Sequence, residues 1–180
     1  MKTRWTFEEL YNSTIQFKPW RRNYTHSPKM GLTGVIPFKG TNSVLFQGFA
    51  YGLTQKSIHK QNILFSGVTI LTELPNNDKS LLMDYFELKY RNQVYYIEKI
   101  DPKKHYVANR CSCADYFFTF AWYNHKKGCL YGSQPRPYHR KTTTIPPRNP
   151  QEFVGICKHL WNFYSFLRAS GYTKEHHAVF

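Results

Sequence analysis

Acidic residues are scarce in this chain, and their scarcity limits the chemistry available to it. The 180 residues include 11 Asp and Glu against 25 Lys and Arg, which gives a net charge of +14 and a pI of about 9.7. The sequence has no paired acids in a motif context, no G-x-S-x-G, no P-loop, no dinucleotide-binding fingerprint and no zinc-deaminase signature. We therefore predict a protein that is not an enzyme, and the excess positive charge indicates a polyanionic or acidic partner.

Long apolar runs are also missing. No stretch approaches the roughly 18 consecutive apolar residues that cross a membrane, and Met1–Glu9 has no apolar segment of the kind found in signal peptides. These absences predict a chain that is neither exported by a classical signal nor embedded in a membrane. We expect it in the cytoplasm, or in a particle assembled there, with no membrane partner and no small-molecule substrate.

The chain has enough apolar surface for a core, with 41% hydrophobic and 18% aromatic residues. Residues 1–30 predict a short helix starting at Thr6, whose Thr-x-x-Glu pattern is typical of a capping box, followed by a basic arm. Residues 31–110 predict a β-rich domain, 111–171 a metal-binding region with a helix, and 172–180 a tail. The fold class predicted is α+β, with a mostly antiparallel sheet followed by a zinc knuckle and a C-terminal helix.

Five antiparallel strands in a meander are predicted within the β-rich region. They are rich in Val, Ile, Leu, Phe and Tyr and are separated by turn residues, including a hairpin turn at 91–93. The predicted strands are Ser43–Tyr51, Gln61–Leu71, Leu81–Tyr90, Val94–Ile100 and His105–Asn109.

Cysteine is scarce too, and the four cysteines all lie between residues 111 and 157. They are too few for a disulfide framework, and a Cys-x-Cys pair would make a strained disulfide, so metal ligation in a reducing compartment is the better interpretation. Cys111, Cys113, Cys157 and His159 form the pattern Cys-x-Cys followed by Cys-x-His. Three thiolates and one imidazole are a donor set that Zn²⁺ takes in closed, tetrahedral, structural sites. Cys129 stays open as a substitute ligand or a free thiol.

The pattern resembles the SWIM zinc finger, with Arg110–Tyr116 similar to the first knuckle and Ile156–Leu160 similar to the second. The gap of 43 residues (114–156) is longer than in most members of that family. The resemblance implies zinc as cofactor and binding to nucleic acid or protein as function. With its aromatic run and its Pro/Arg/Lys segment between the knuckles, the chain is also similar to structural proteins of tailed bacteriophages. That resemblance implies a virion component of a tail, baseplate or neck.

The C-terminal helix is predicted over residues 150–170, with Asn149-Pro150 as its start and Gly171 just past its end. One conflict arises at the second knuckle. Residues two positions apart on a continuous helix point about 200° away from each other, so Cys157 and His159 could not bind one metal ion from such a helix. We therefore predict a break at Gly155, with Cys157 near the start of a new helix and His159 in its first turn.

Two further segments invite alternative interpretations. Residues 115–123 carry aromatics on every side, which favours burial in a core or interface over a base-stacking platform. Ser133–Pro150 holds half of the prolines and predicts an extended connector, and it lies within residues 116–151, which contain no Asp or Glu. Three interpretations stay open for it: a solvated loop, a segment that binds neighbouring subunits, or a segment that binds the phosphates of a nucleic acid. The candidate partner-binding residues are Arg21, Arg22, Lys126, Lys127, Arg136, Arg140, Lys141 and Arg148.

Overall fold

The computed structural model describes residues 3–17, 29–51, 57–74, 83–136 and 148–174. Its first element is helix α1 (Phe7–Gln16), and the predicted capping box is confirmed. The Glu9 N–H donates to Thr6 Oγ1 at 3.3 Å, and the Thr6 N–H donates to Glu9 Oε2 at 3.0 Å. These two bonds satisfy backbone donors that the first turn of a helix leaves without partners.

A four-stranded antiparallel sheet forms the centre of the molecule. Its strands lie in the order β1 (Met30–Phe38), β2 (Ser43–Tyr51), β3 (Ile58–Ser66) and β7 (Tyr106–Cys111). The outer edge of β7 is covered by isolated bridges that pair Thr6 with Tyr106 and Asn109 with Leu130. The N-terminus of α1 is thereby tied to the strand that leads into the first cysteine pair.

A second antiparallel sheet has the order β4 (Ile70–Leu71), β6 (Gln93–Glu98) and β5 (Tyr85–Tyr90). The turn between β5 and β6 is two residues long, because Tyr90 pairs with Gln93. Arg91 and Asn92 both have positive φ, at 48° and 62°. Two left-handed residues are what a tight hairpin turn requires to match the twist of its strands.

The predicted single meander of five strands is therefore wrong in its topology, although most of its strands exist. The sheet is divided in two, and β7 pairs with β3 rather than with its sequence neighbour β6. The strand that was not predicted, β1, contains Gly31, Gly34 and Pro37, which lower strand propensity. Because β1 lies at the edge of its sheet, it can accommodate a proline that has no N–H to donate.

Three short helical pieces follow the first cysteine pair without interruption: α2 (Ala114–Tyr116), a π-helical turn (Phe117–Ala121) and α3 (Trp122–Lys126). The last element is α4 (Lys158–Ala169), which ends in a Schellman motif as the position of Gly171 predicts. There Gly171 N–H donates to Arg168 O at 3.0 Å and Tyr172 N–H to Leu167 O at 3.1 Å.

One hydrophobic core joins these elements. Helix α4 buries Leu160, Phe163 and Leu167, and its aromatic residues stack on α1. The Phe7 and Tyr164 ring centroids lie 3.8 Å apart, and those of Tyr11 and Trp161 lie 4.4 Å apart. The α+β fold class predicted from the sequence is confirmed, with the antiparallel sheets followed by a cysteine cluster and a C-terminal helix.

Candidate metal centre

The structure brings together the four residues that the sequence predicts as metal ligands. Cys111 is the last residue of β7, Cys113 is the N-cap of α2, Cys157 is the N-cap of α4, and His159 lies in the first turn of α4. All four side chains are buried, and their ligand atoms all lie within 4.8 Å of one another. This bound is close to about 4.6 Å, the largest separation possible for two ligands that each lie about 2.3 Å from one metal ion, so a small contraction of the cluster would let all four atoms bind the same ion.

The residue between the first two cysteines explains their spacing. Ser112 continues the pairing of β7 with β3: its N–H donates to Lys60 O at 3.0 Å, and its Oγ accepts from the Lys60 N–H at 2.8 Å. Neighbouring residues of an extended chain point in opposite directions. Ser112 therefore lies exposed at the surface, and Cys111 and Cys113 are buried on the other side.

Backbone and side-chain N–H groups surround the first two sulfur atoms. Cys111 Sγ accepts from the Cys113 N–H at 3.5 Å and from Gln61 Nε2 at 3.6 Å. Cys113 Sγ accepts from the Tyr116 N–H at 3.3 Å and so caps helix α2. N–H donors aimed at sulfur stabilise the thiolate, which is the form that binds a metal.

The second pair is arranged as the predicted geometry requires. Cys157 has extended backbone angles and precedes the helix, while His159 lies in its first turn, so the two side chains are not held about 200° apart. The predicted helix start at Asn149-Pro150 is wrong, since helix α4 begins at Lys158. The predicted break at Gly155 is also wrong, because residues 148–151 are bends and turns and residues 152–157 are not helical, so no helix leads into Gly155.

Asn149 does not cap a helix, as was predicted, but stabilises a turn. Its Oδ1 accepts from the Phe153 N–H at 3.0 Å, while its Nδ2 donates to Phe153 O at 2.8 Å and to Thr119 O at 2.9 Å. Glu152, inside this turn, adopts a left-handed φ of 57°. The buried Asn149 amide thus closes a turn against the π-helical segment, and the chain leaves the turn extended rather than helical.

The extended stretch before Cys157 is held by side chains that sequence reasoning did not identify. Ser13 Oγ donates to Val154 O at 2.8 Å, and Thr14 Oγ1 accepts from the Ile156 N–H at 3.0 Å. Between them, the Asn124 amide donates to Gly155 O at 2.8 Å and accepts from the Gly155 N–H at 2.9 Å. Buried backbone groups need such partners. The sequence signal available was the position of Thr14 on the apolar face of α1, four residues after Leu10.

The electrostatics of the cluster fit a bound cation. Burial by itself raises the pKa of Cys111, but hydrogen bonds from Cys113, Cys157 and Gln61 outweigh it and hold that pKa well below its ordinary value. Burial, together with the neighbouring Cys111 and Cys113, raises the pKa of Cys157. Like charges thus oppose full ionisation of the thiols, and a divalent cation would remove that opposition.

His159 supplies an independent indication. Its Nδ1 is buried and has no hydrogen-bond partner among the residues that the structure describes. A buried polar atom without a partner is costly, and a metal ion between the three sulfur atoms would provide one. Three thiolates and one imidazole complete a tetrahedral coordination set.

Cys129 is not a member of the cluster. Its thiol is fully buried, and burial raises its pKa to about 12, so it stays protonated. Its backbone serves the fold instead: Cys129 O accepts from the Asn109 N–H at 3.0 Å, and the Cys129 N–H donates to Asn124 O at 2.9 Å. This environment fits an inert, free thiol.

The predicted burial of the aromatics of residues 115–123 is found within the chain for only part of the segment, and burial of the rest in an interface stays a prediction. Tyr116 and Phe120 are buried, but Phe117 and Phe118 are each 39% exposed. Only one face of the helical segment packs on the core, and its π-helical turn places two successive phenylalanines outside. These two rings meet edge to face, with centroids 5.1 Å apart.

The predicted partner-binding cations fall into two groups. Arg21, Arg22, Arg140 and Lys141 lie outside the described residues. Among the others, Lys126, Arg136 and Arg148 are exposed and Lys127 is half-buried. Arg148 lies 5.9 Å from the Phe118 ring centroid and 3.6 Å from Asp115 Oδ1, and Lys126 Nζ lies 5.7 Å from the Trp122 ring centroid. Two of the predicted cations therefore adjoin the exposed aromatic face of the helical segment.

Comparisons with protein-family models, with curated protein sequences and with solved structures found no match. Among the described residues, no helix has a long enough apolar stretch to cross a membrane.

Proposed function

We propose that Cys111, Cys113, Cys157 and His159 hold a single Zn²⁺ whose role is structural. Support comes from the donor set, since three sulfurs and one imidazole nitrogen suit zinc better than the oxygen-preferring Mg²⁺ or Ca²⁺. The burial of all four ligands supports a structural role. A closed four-ligand site has no position for water or substrate, and its binding energy contributes directly to folding.

We further propose that the protein is a non-enzymatic component of a virion or another large assembly, with a tail, baseplate or neck as its place. The supporting observation is the surface formed by Phe117, Phe118, Trp122, Lys126 and Arg148, which we term the aromatic–cation face. Exposed aromatic residues beside an arginine are typical of the centre of protein interfaces. The net charge of +14 would attract acidic neighbouring subunits and speed their association.

A nucleic-acid-binding module of the SWIM type is the second candidate function. The aromatic–cation face favours it because the face combines aromatic rings with cations. Exposed rings beside cations can stack on bases while the cations contact phosphates. Lys126, which lies 5.7 Å from the Trp122 ring centroid and 6.0 Å from that of Tyr123, has this arrangement with two half-buried rings. Such binding requires affinity by the isolated protein that weakens steeply as salt rises.

A titration of the zinc-loaded full chain with single-stranded DNA, duplex DNA and RNA at two salt concentrations decides between the candidates. The assembly proposal predicts no submicromolar binding, together with cross-links from Lys126 and Lys127 to other subunits in the native particle. Submicromolar, salt-sensitive binding that Lys126→Gln weakens, and that Lys89→Gln on the exposed surface of β5 leaves unchanged, would replace the assembly proposal with the nucleic-acid one.

A further inference from the structure

Gln61, whose amide donates to the Cys111 sulfur, is a polar residue buried beside the metal centre. Its side chain is 1% exposed and lies on β3, beside the cysteine cluster. Its Nε2 donates to His59 O at 2.7 Å and to Cys111 Sγ at 3.6 Å, a normal length for a bond to the large sulfur atom. Its Oε1 is buried and, within the described part of the chain, has no hydrogen-bond partner.

The strand register makes the contact between Gln61 and Cys111. In the antiparallel pairing of β3 with β7, Gln61 is the residue directly opposite Cys111. Opposed residues of an antiparallel pair project from the same face of the sheet, with their side chains in contact. A shift of one residue would bring Lys60 or Asn62 opposite the cysteine, and so the register places one amide donor beside the ligand sulfur.

We propose that Gln61 is a positioning residue for the metal, one that stabilises the Cys111 thiolate and fixes its sulfur toward the ion. This inference rests on the proposed metal centre. An apolar side chain would fill the same space without leaving Oε1 unsatisfied, so the glutamine is unfavourable for packing alone. Its compensating contribution is the N–H bond to a sulfur that carries negative charge when the metal is bound.

A purely structural role for Gln61 makes a different prediction. If Gln61 contributes only through its bond to His59 O, replacing the Gln61 side chain would lower the stability of the metal-free chain and leave metal affinity unchanged. If its value lies in the bond to Cys111, its removal lowers metal affinity, and the metal-free chain loses little or no stability because an unsatisfied Oε1 disappears as well. The two roles are therefore separated by measuring affinity and metal-free stability on the same variant.

The test uses Co²⁺ as a spectroscopic probe in the full chain, with affinity measured by competition against a chelator. Gln61→Leu is expected to keep one tetrahedral Co²⁺ with sulfur-to-cobalt charge-transfer bands, but with a dissociation constant raised about 10–100-fold. Gln61→Glu is expected to raise it further, since a carboxylate beside the thiolate repels it. Gln61→Asn, whose amide is too short to reach the sulfur, is expected to weaken Co²⁺ binding as Gln61→Leu does. It replaces that variant in the affinity measurement should Gln61→Leu fail to fold, but not in the comparison of metal-free stability, because it keeps an amide oxygen.

Gln47→Leu is the matched control. Gln47 Nε2 bonds Asn62 Oδ1 at 3.0 Å, and Asn62 follows Gln61 on β3, so the control removes an amide bond from the opposite face of the same sheet. It should leave Co²⁺ affinity unchanged. Wild-type affinity in Gln61→Leu or Gln61→Asn overturns the role of Gln61 while leaving the metal centre intact. A wild-type chain that binds neither Co²⁺ nor Zn²⁺ overturns both proposals.

Discussion

Thr14 on the first helix accepts a hydrogen bond from the Ile156 backbone N–H at 3.0 Å, across 142 positions of sequence. The same hydroxyl donates to Leu10 O at 2.6 Å, so both of its hydrogen-bonding roles are used in the interior. Ile156 directly precedes the ligand Cys157. Helix α1 therefore positions the second half of the candidate metal centre, and we expect metal binding and the docking of α1 to stabilise each other.

Thr14→Val tests this link between α1 and the metal centre. Valine has nearly the same shape but no hydroxyl, so the bonds to the Ile156 N–H and to Leu10 O would be lost. At about 0.5–1.5 kcal/mol for each bond, the free energy of unfolding should fall by about 1–3 kcal/mol. Denaturant titration of the metal-loaded protein measures the loss. Ser13→Ala, which removes the partly buried bond to Val154 O, is expected to cost less. Equal stability of Thr14→Val and wild type would show that the bond does not position the segment.

Gly155→Ala tests how tightly the segment before Cys157 is packed. A Cβ at position 155 would lie 2.6 Å from Phe120 Cε1 and 2.7 Å from Thr14 Oγ1. Forcing a methyl group into this space should destabilise the fold by about 1–3 kcal/mol. Gly40→Ala is the control, because a Cβ there meets no atom within 4 Å, and its effect should stay within about 0.5 kcal/mol. Similar melting temperatures for the two variants would contradict the packing described.

Cys157→Ser and Cys129→Ala should separate the metal centre from the ordinary core. Cys157→Ser removes a thiolate from the cluster, so the purified protein should lose its metal and the start of α4 should loosen. Cys129→Ala should keep a full complement of metal and cost no more than about 3 kcal/mol, the upper end for ordinary core substitutions. Elemental analysis together with thermal melting gives both readouts. Loss of metal in Cys129→Ala would place that thiol in the centre after all.

The lowered pKa of Glu98 makes the stability of the folded protein depend on pH in the acid range. Burial alone raises its pKa, but hydrogen bonds from Lys104 and Thr69 outweigh burial and hold the pKa at about 2, below the ordinary 4.5. The folded state therefore favours the ionised carboxylate. The resulting stability is present above about pH 4.5 and is lost as the pH falls toward 2.

Glu98→Gln should remove this part of the pH dependence, measured by denaturant titration in chelator so that metal release does not contribute. Because Lys104 is largely exposed and solvent screens its charge, we expect Glu98 to contribute about 1–2 kcal/mol to the free energy of unfolding, which is less than its whole pKa shift would correspond to. Glu87→Gln, at an exposed position on β5, should follow the wild-type curve. Wild type and Glu98→Gln losing stability in parallel between pH 5 and 2 would rule out this role for Glu98.

The sequence was sufficient where the signal lies within a few residues. The capping box at Thr6 and Glu9 is a local pattern and appears as predicted. The predicted strand Ser43–Tyr51 is rich in Val, Leu and Phe and matches β2 at both ends. The two ligand pairs are equally local, and soft donors at such short spacing have few other uses in a reducing compartment.

Features that depend on long-range contacts were not predictable in the same way. Asn149 has the residue type and the Pro neighbour of a helix N-cap, but its amide bonds to Thr119, 30 residues away, stabilise a turn instead. The contact of Gln61 with Cys111 spans 50 residues and requires the β3–β7 register, which no local pattern specifies. Strand β1 was missed because its glycines and proline conceal a strand that only pairing with β2 stabilises.

X-ray absorption at the zinc edge of the purified full chain tests the central claim most directly, since it reports both the metal and its donors. The account predicts one zinc per chain, with three sulfur neighbours at about 2.3 Å and one nitrogen at about 2.0–2.1 Å. Replacing His159 with alanine should remove the nitrogen neighbour and leave the sulfur shell in whatever zinc remains. Protein without stoichiometric metal, or zinc surrounded only by nitrogen and oxygen, would contradict the assignment of Cys111, Cys113, Cys157 and His159 as a structural zinc site.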